Sequence, residues 1–175
     1  AELDGQGARG ALLLVGAHTG FERYLASLHQ LAATLGLSHV HFVGHVSDEE
    51  LVAFYEVADL FLCASEHEGF CVPLVEAFYK EIPVLAYAAT AVPSTMDGAG
   101  VLFHEKDPAH VALLMDTILS DQTLQDAIVA AQLSAVGRLR SKDFAGTLLH
   151  VLDKILAAPR APRPHVAFDF WHQFD

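Results

Sequence analysis

The chain has 175 residues and a hydrophobic content of 53%, which is enough for one domain with a sizeable buried core. Its formal net charge of -12, from 10 basic and 22 acidic residues, argues against a nucleic-acid partner, because phosphates require a basic surface. No apolar run reaches the ~18 residues of a membrane-spanning helix, and two cysteines are too few for a disulfide framework.

A reducing, cytoplasmic setting is therefore expected, in which Cys63 and Cys71 are free thiols. The 11 histidines do not repeat any zinc-binding pattern and are interpreted as scattered loop and surface residues, so no metal site is predicted.

The first elements are predicted from hydrophobic runs. Residues 11–16, ALLLVG, form a continuous apolar run that ends at Gly16, which is typical of a strand buried on both faces. Residues 21–36 place apolar side chains at helical spacing and stop at Gly36, which predicts a helix. The run HVHFVG predicts a second strand that ends at Gly44.

The middle of the chain continues this alternation. Ser47 and Glu50 match a capping box, so a helix is expected after Ser47, with Leu51, Phe54, Tyr55 and Ala58 on its buried face. LFLCA is the third predicted strand, and PLVEAFYKE a short helix with Pro73 at its first position. PVLAYA and GVLF predict the fourth and fifth strands.

The C-terminal part is predominantly helical. Asp107 and Pro108 predict the start of one helix, and further helical stretches are expected at about 121–138 and 142–157. The alternation of strands and helices predicts an α/β fold with a doubly wound parallel sheet over residues 1–158. Residues 159–175 form a separate Pro-rich tail that either packs on a domain or binds a partner through its aromatic residues, Phe168, Phe170, Trp171 and Phe174.

The segment CASEHEGFCVPLVEAF, residues 63–78, lies where the third strand ends and a helix begins. In open α/β sheets, ligands bind beyond the carboxyl ends of the strands. A helix N-terminus carries unpaired N–H groups and partial positive charge, which suits a phosphate. Gly69 allows the backbone to approach a ligand closely or to adopt a positive φ.

Two carboxylates, Glu68 and Glu76, accompany this predicted helix start. An ionised carboxylate accepts hydrogen bonds and can bind two adjacent hydroxyls. Two acids around a positive helix end would therefore suit a ligand with phosphates in the middle and diols on both sides, as in a nucleotide sugar. The alternative is that both glutamates are surface residues that stabilise the helix dipole.

The same segment resembles a known family pattern, S-x-x-E-G-F-G-x-x-x-x-E-A, at Ser65, Glu68, Gly69, Phe70, Glu76 and Ala77. Flanking motifs agree with the family in the same order: LLLVG, HFVGHVSDEEL, VADLFLCAS and IPVLA. Residues 11 to about 120 are thus similar to the C-terminal domain of retaining glycosyltransferases of family 4, the group 1 enzymes with the GT-B fold.

The resemblance implies a Rossmann-like domain that binds a nucleotide-diphosphate sugar, such as a UDP- or GDP-sugar, for transfer with retention and without a cofactor or an obligatory metal. Glu68 would then hold donor-sugar hydroxyls, and the backbone from Gly69 through Phe70 to Cys71 would face the sugar and diphosphate. Glu76 would bind the ribose hydroxyls.

The strand exit at Gly16 belongs to the same implied donor site. The loop at Gly44 and His45 would lie near the base, where His45 either stacks or faces solvent. No catalytic residue is assigned within this chain.

Three positions depart from the family pattern. Cys71 replaces the second glycine of the turn, Glu81 stands where a glycine is preferred, and Ser94 stands where a glutamate is usual. These departures suggest a divergent branch.

The family's diphosphate-binding arginine and lysine, its first strand and its N-terminal acceptor domain have no counterpart here, where Arg9 precedes the first predicted strand. The chain is therefore expected to be a fragment that folds, binds donor weakly and is inactive alone, and any membrane contact would lie in the other domain. The alternative is a non-catalytic Rossmann-like interaction module derived from a glycosyltransferase. A dehydrogenase is disfavoured because no G-x-G-x-x-G motif follows a strand.

Overall fold

A computed structural model describes residues 10–158, which fall into two compact units that meet between Arg140 and Ser141 in the sequence. The described part of the first unit, residues 10–140, contains five strands and six helices. The strands are β1 (Leu12–Val15), β2 (Val40–Gly44), β3 (Phe61–Cys63), β4 (Val84–Tyr87) and β5 (Val101–Phe103). The helices are α1 (Glu22–Thr34), α2 (Asp48–Glu56), α3 (Val72–Tyr79), α4 (Val92–Met96), α5 (Pro108–Ser120) and α6 (Gln122–Arg140).

The described part of the second unit is one helix, α7 (Phe144–Ala157). Its N-cap is Asp143, whose carboxylate accepts a hydrogen bond from the backbone N–H of Gly146 at 2.8 Å. No helix within residues 10–158 combines the length and the apolarity that crossing a bilayer requires.

The three strand pairs in the described part of the chain are parallel, which confirms the predicted α/β class. β1 pairs with β2, so that Leu12 lies opposite Val40. β4 lies between β3 and β5, so that Leu85 is opposite both Leu62 and Val101. The five strands are divided between a two-stranded and a three-stranded sheet.

The core surrounds β4, whose residues alternate between its two faces. Val84 and Ala86 are fully buried against residues of α3, including Leu74 and Phe78. Leu85 is fully buried on the opposite face, in a second cluster that receives side chains from α5 and α6, Ile118 and Ile128. β4 therefore has the burial on both faces that its apolar sequence predicts.

The same expectation is wrong for β1. Leu12, Leu13 and Leu14 are 42%, 37% and 39% exposed. Within the described residues β1 has one strand neighbour, β2, and no residue of α1 is buried. An apolar run predicts a strand, but burial requires neighbouring elements that cover it, and residues 10–158 do not supply them for these three leucines.

Helix ends follow their local sequence signals. Ser47 and Glu50 form the predicted capping box, with reciprocal backbone hydrogen bonds of 3.2 and 2.8 Å. Asp107 caps α5, and Gly36 follows α1 with a φ of 67°. α3 begins at Val72, one residue before the predicted start, which leaves Pro73 in the second position; α4 was not predicted.

A buried glutamine of α6 completes the entry into β4. The side chain of Gln132 is fully buried; its Nε2 donates to the carbonyl of Ile82 at 2.8 Å, and its Oε1 accepts from the N–H of Val84 at 2.9 Å. These bonds satisfy the backbone on both sides of Pro83, which has no N–H of its own. α6 is thereby tied to the strand that carries the core.

Candidate functional site

The loop between β3 and α3 contains four of the eight predicted site residues, Glu68 to Cys71, and its backbone turns at Cys71. Cys71 is the N-cap of α3 and has a left-handed conformation, with φ 63° and ψ 67°. Gly69 does not have a positive φ, and a Cβ added there would meet nothing within 4 Å. Of the two uses predicted for Gly69, close approach to a ligand therefore fits the structure, while the positive φ falls on Cys71.

Hydrogen bonds from the chain segment around α4 hold this loop in place. The backbone N–H of Glu68 donates to the hydroxyl of Thr90 at 2.9 Å. The side-chain carboxylate of Glu68 is half-buried and takes no part in this bond. The hydroxyl of Thr95 donates to the carbonyl of Phe70, whose ring is 44% exposed. The two threonines are 22 and 25 residues away from the loop positions that they fix, and the sequence did not mark them.

Glu76 lies in the second turn of α3 and is half-buried. Its Oε2 accepts a hydrogen bond from the hydroxyl of Tyr55, on α2, at 2.9 Å. Burial, and then the bond to this carboxylate, raises the pKa of Tyr55. The phenol is therefore a protonated donor at neutral pH, and it fixes the orientation of one carboxylate oxygen of Glu76.

The N-terminus of α3 carries no acidic residue in its first turn, so nothing on the helix itself neutralises the positive end of its dipole. Pro73 lacks an N–H, and the N–H of Leu74 donates to the carbonyl of Cys71 at 3.1 Å. The anion-binding capacity of this terminus accordingly depends on the few N–H groups that remain.

The two cysteines meet beneath the loop. The Sγ atoms of Cys63, at the end of β3, and Cys71 are 3.8 Å apart, and both residues are buried. Burial and then the neighbouring Cys63 raise the pKa of Cys71 to about 12. Both cysteines are free thiols, as predicted, but their proximity was not anticipated.

The remaining predicted residues lie at the carboxyl ends of β1 and β2. The N–H of Gly16 donates to the carbonyl of Gly44 at 2.9 Å. Gly44 is buried with a φ of 83°, and a Cβ there would lie 3.0 Å from Cε1 of His18. His45 is exposed. The structure thus brings Gly16 and Gly44 together, next to a histidine that the sequence did not indicate.

One lysine approaches the β3–α3 loop. Nζ of Lys106 forms a 2.9 Å ion pair with Glu66 and lies 4.6 Å from the centre of the Tyr87 ring. The hydrogen bond from Lys106 lowers the pKa of Glu66. Lys106 follows β5, far from the loop in sequence, so the motif could not reveal this cation.

Two of the three departures from the family pattern share a backbone feature. Cys71 and Glu81, which replace glycines of the pattern, both have positive φ values, 63° and 59°. Ser94 lies exposed on α4, and its hydroxyl donates to the carbonyl of Ala91 at 2.8 Å. Arg9 and the aromatic tail lie outside the described residues.

Comparisons with known proteins point to one family. The family model described as Glycosyl transferases group 1 matches residues 7–134. The serotype-specific mannosyltransferase WbdA of Escherichia coli is 30% identical over 117 residues, which cover 66% of this chain and 14% of WbdA. O-antigen chain mannosyltransferase B of Escherichia coli is 32% identical over 106 residues, which cover 61% of this chain and 26% of that protein.

A solved structure agrees with these relatives. The crystal structure of Anabaena Alr3699/HepE in complex with UDP and glucose superposes with a TM-score of 0.67 and 26% sequence identity. The match covers 85% of this chain and 41% of HepE. The chain therefore spans less than half the length of each of these three proteins.

Proposed function

Because the group 1 glycosyltransferase model matches residues 7–134, the chain belongs to that family, and we propose that it is the donor-binding part of a longer enzyme. This enzyme would transfer a hexose from a nucleotide-diphosphate sugar to an acceptor with retention of configuration. The observation that carries the proposal is the start of α3, where Glu68 precedes the helix N-terminus, Glu76 lies in the second turn and Tyr55 orients Glu76.

The proposed roles follow from the hydrogen-bonding capacity of each group. Oε1 of Glu76 is not used by Tyr55 and can accept from ribose hydroxyls, while the carboxylate of Glu68 can accept from hydroxyls of the transferred sugar. The backbone from Gly69 to Cys71 faces the sugar and diphosphate, and the open space beside Gly69 leaves room for that approach. Gly16, Gly44 and His45 lie at neighbouring strand ends, on the side proposed for the base.

The diphosphate needs more positive charge than the described residues of the loop supply. Helix-dipole effects are about 0.3 to 2 kcal/mol, and the chain carries a net charge of -12. Lys106 is close to the loop but is already paired with Glu66. We therefore propose that cations and an acceptor domain elsewhere in the longer protein complete the site, and that this chain alone binds donor weakly and is inactive.

The relatives suggest which donors to test. Two curated relatives are mannosyltransferases, and HepE was crystallised with UDP and glucose. Calorimetric titration of UDP-glucose, GDP-mannose and ADP-glucose would therefore be performed on both this chain and the longer protein. We expect one nucleotide to be preferred, with higher affinity in the longer protein.

The decisive variant is Glu76→Gln, which should lower affinity for the preferred donor about 10- to 100-fold, because it weakens hydrogen bonds to a charged acceptor. The matched control is Glu81→Gln, which changes an exposed carboxylate beyond the other end of α3 and should leave affinity unchanged. If no nucleotide sugar binds even the longer protein, the transferase proposal fails and a non-catalytic interaction module remains.

A further inference from the structure

Three potential metal ligands lie close together at the β3–α3 loop. The Sγ atoms of Cys63 and Cys71 and one carboxylate oxygen of Glu68 all lie within 4.8 Å of one another. The two cysteines are 7% and 6% exposed, and Glu68 is half-buried. Within residues 10–158 these three ligands, two thiols and one carboxylate, come from three different parts of the fold: a strand end, a loop and a helix N-cap.

The separation of the two sulfurs fits a shared metal ion. With metal–sulfur bonds of about 2.3 Å and tetrahedral angles, two thiolates bound to one zinc ion are about 3.8 Å apart. The observed Sγ–Sγ distance is 3.8 Å, whereas a disulfide requires about 2.05 Å. Without an ion, the same pair shares a weak thiol hydrogen bond, so little movement of the backbone is needed to bind one.

The ligand chemistry selects the class of ion. Thiolates prefer soft or borderline cations such as zinc and cadmium over magnesium or calcium. On binding, each thiol forms a sulfur–metal bond and releases its proton to solvent, so that one divalent ion replaces two protons. With the Glu68 carboxylate, three protein ligands are present, and a fourth tetrahedral position stays open to water or another ligand.

We propose that Cys63, Cys71 and Glu68 form a binding site for one zinc-type divalent cation. Cys71 stands where the family pattern has a glycine, which has no side chain to bind a metal ion. If Glu68 also holds the donor sugar, a consequence that rests on the proposed function, an ion bound here withdraws that carboxylate from the donor. Zinc would then compete with nucleotide-sugar binding.

The test uses cadmium as the probe, because the chain has 11 histidines that can bind metals without involving sulfur. Cadmium bound to thiolate gives an ultraviolet charge-transfer band, and binding to histidine does not. Titration of the reduced protein should develop this band to a plateau at one ion per chain. Absence of the band, or a plateau at one ion per two chains, would contradict the proposal.

Substitutions connect the band to the three residues. Cys71→Gly should abolish the band at one equivalent and lower cadmium affinity by more than the ~10- to 100-fold that the loss of an outer-shell partner typically costs. Glycine also suits the left-handed backbone at this position. If the Cys71→Gly variant keeps the thermal stability of the wild type, loss of the band reflects loss of the metal ligand and not unfolding. Cys63→Ser should also remove the band, and Glu68→Gln should reduce affinity about tenfold while the band remains.

The matched control is Glu66→Gln, which removes an exposed carboxylate of the same loop that is not in the cluster and should leave cadmium affinity unchanged. An unchanged band in Cys71→Gly would refute the site. Because the titration contains no nucleotide sugar, its outcome does not depend on the transferase proposal. The competition between zinc and the nucleotide sugar is measured separately. Zinc should lower the affinity for the donor, and a chelator should restore it.

Discussion

The hydroxyl of Tyr55 donates a 2.9 Å hydrogen bond to Oε2 of Glu76, across 21 residues of sequence. The bond joins α2 to α3 at the second turn of the helix that follows the β3–α3 loop. It occupies one oxygen of the glutamate and leaves the other available to a ligand. The orientation of the proposed ribose-binding carboxylate thus depends on a residue of a different helix.

Removing the Tyr55 hydroxyl should weaken donor binding without unfolding the protein. Tyr55→Phe is expected to lower affinity for the preferred nucleotide sugar about five- to tenfold, since a hydrogen bond to a charged group that holds Glu76 in place is lost. Calorimetry on the longer protein measures this change. Tyr79→Phe is the control, because Tyr79 is 63% exposed on the same helix as Glu76, and an equal loss in both variants would contradict the positioning role.

The raised pKa of Tyr55 predicts a pH-dependent contribution to stability. Its folded pKa lies above the ordinary value of 10.0, so the folded state retains a proton that the unfolded chain loses. The stabilisation that Tyr55 provides through its raised pKa is fully present below about pH 10. It is lost progressively as the pH rises towards the pKa of Tyr55 in the folded state.

Urea unfolding at a series of pH values from 8 to about 11 would compare the wild type with Tyr55→Phe. The difference between their free energies of unfolding should shrink over the upper part of this range. A difference that stays constant would show that Tyr55 does not titrate abnormally.

Gln132 should make a large contribution to stability. Gln132→Leu introduces an apolar side chain of comparable size and leaves the carbonyl of Ile82 and the N–H of Val84 without their side-chain partners. Each unpaired buried group costs about 1 to 3 kcal/mol, so a loss of about 2 to 6 kcal/mol in the free energy of unfolding is expected for the two groups.

Chemical denaturation measures this loss, and Gln122→Leu at the exposed start of the same helix is the control, with a change within about 0.5 kcal/mol. Equal effects of the two substitutions would mean that the buried bonds of Gln132 add nothing.

Glu81 follows α3 with a φ of 59°, where an L-residue costs about 1 kcal/mol or more and glycine does not. Glu81→Gly should therefore raise the free energy of unfolding by about 0.5 to 1 kcal/mol, after allowance for the greater freedom of glycine in the unfolded chain. Glu81→Ala keeps the backbone strain and should show no gain. A glycine variant no more stable than the alanine variant would contradict this explanation.

The elements were predictable because their signals are local. The capping box of Ser47 and Glu50, the cap at Asp107 and the stop at Gly36 each act within about one helical turn, so the sequence contains all the residues that they need. The structure confirms the three helix ends. The motif between Ser65 and Ala77 was likewise readable, since it occupies one continuous segment.

Contacts between distant residues were not predictable in the same way. The bonds of Gln132 to Val84 and Ile82 cross 48 and 50 residues of sequence, and the bond from Tyr55 to Glu76 crosses 21. Each depends on how a helix packs against another element, which hydrophobic periodicity does not specify. The exposure of β1 has the same origin, because its leucines predict a strand without identifying what covers it.

By itself, the sequence determined the succession of strands and helices apart from α4, the family pattern, and the position of Glu68 before and Glu76 within the helix that follows β3. Only the tertiary structure decided that Cys71 has a left-handed backbone and that its thiol lies 3.8 Å from that of Cys63. The physical reason is that propensities and caps depend on neighbours along the chain, whereas the direction of a turn and the partners of its side chains depend on packing against the sheet and its helices.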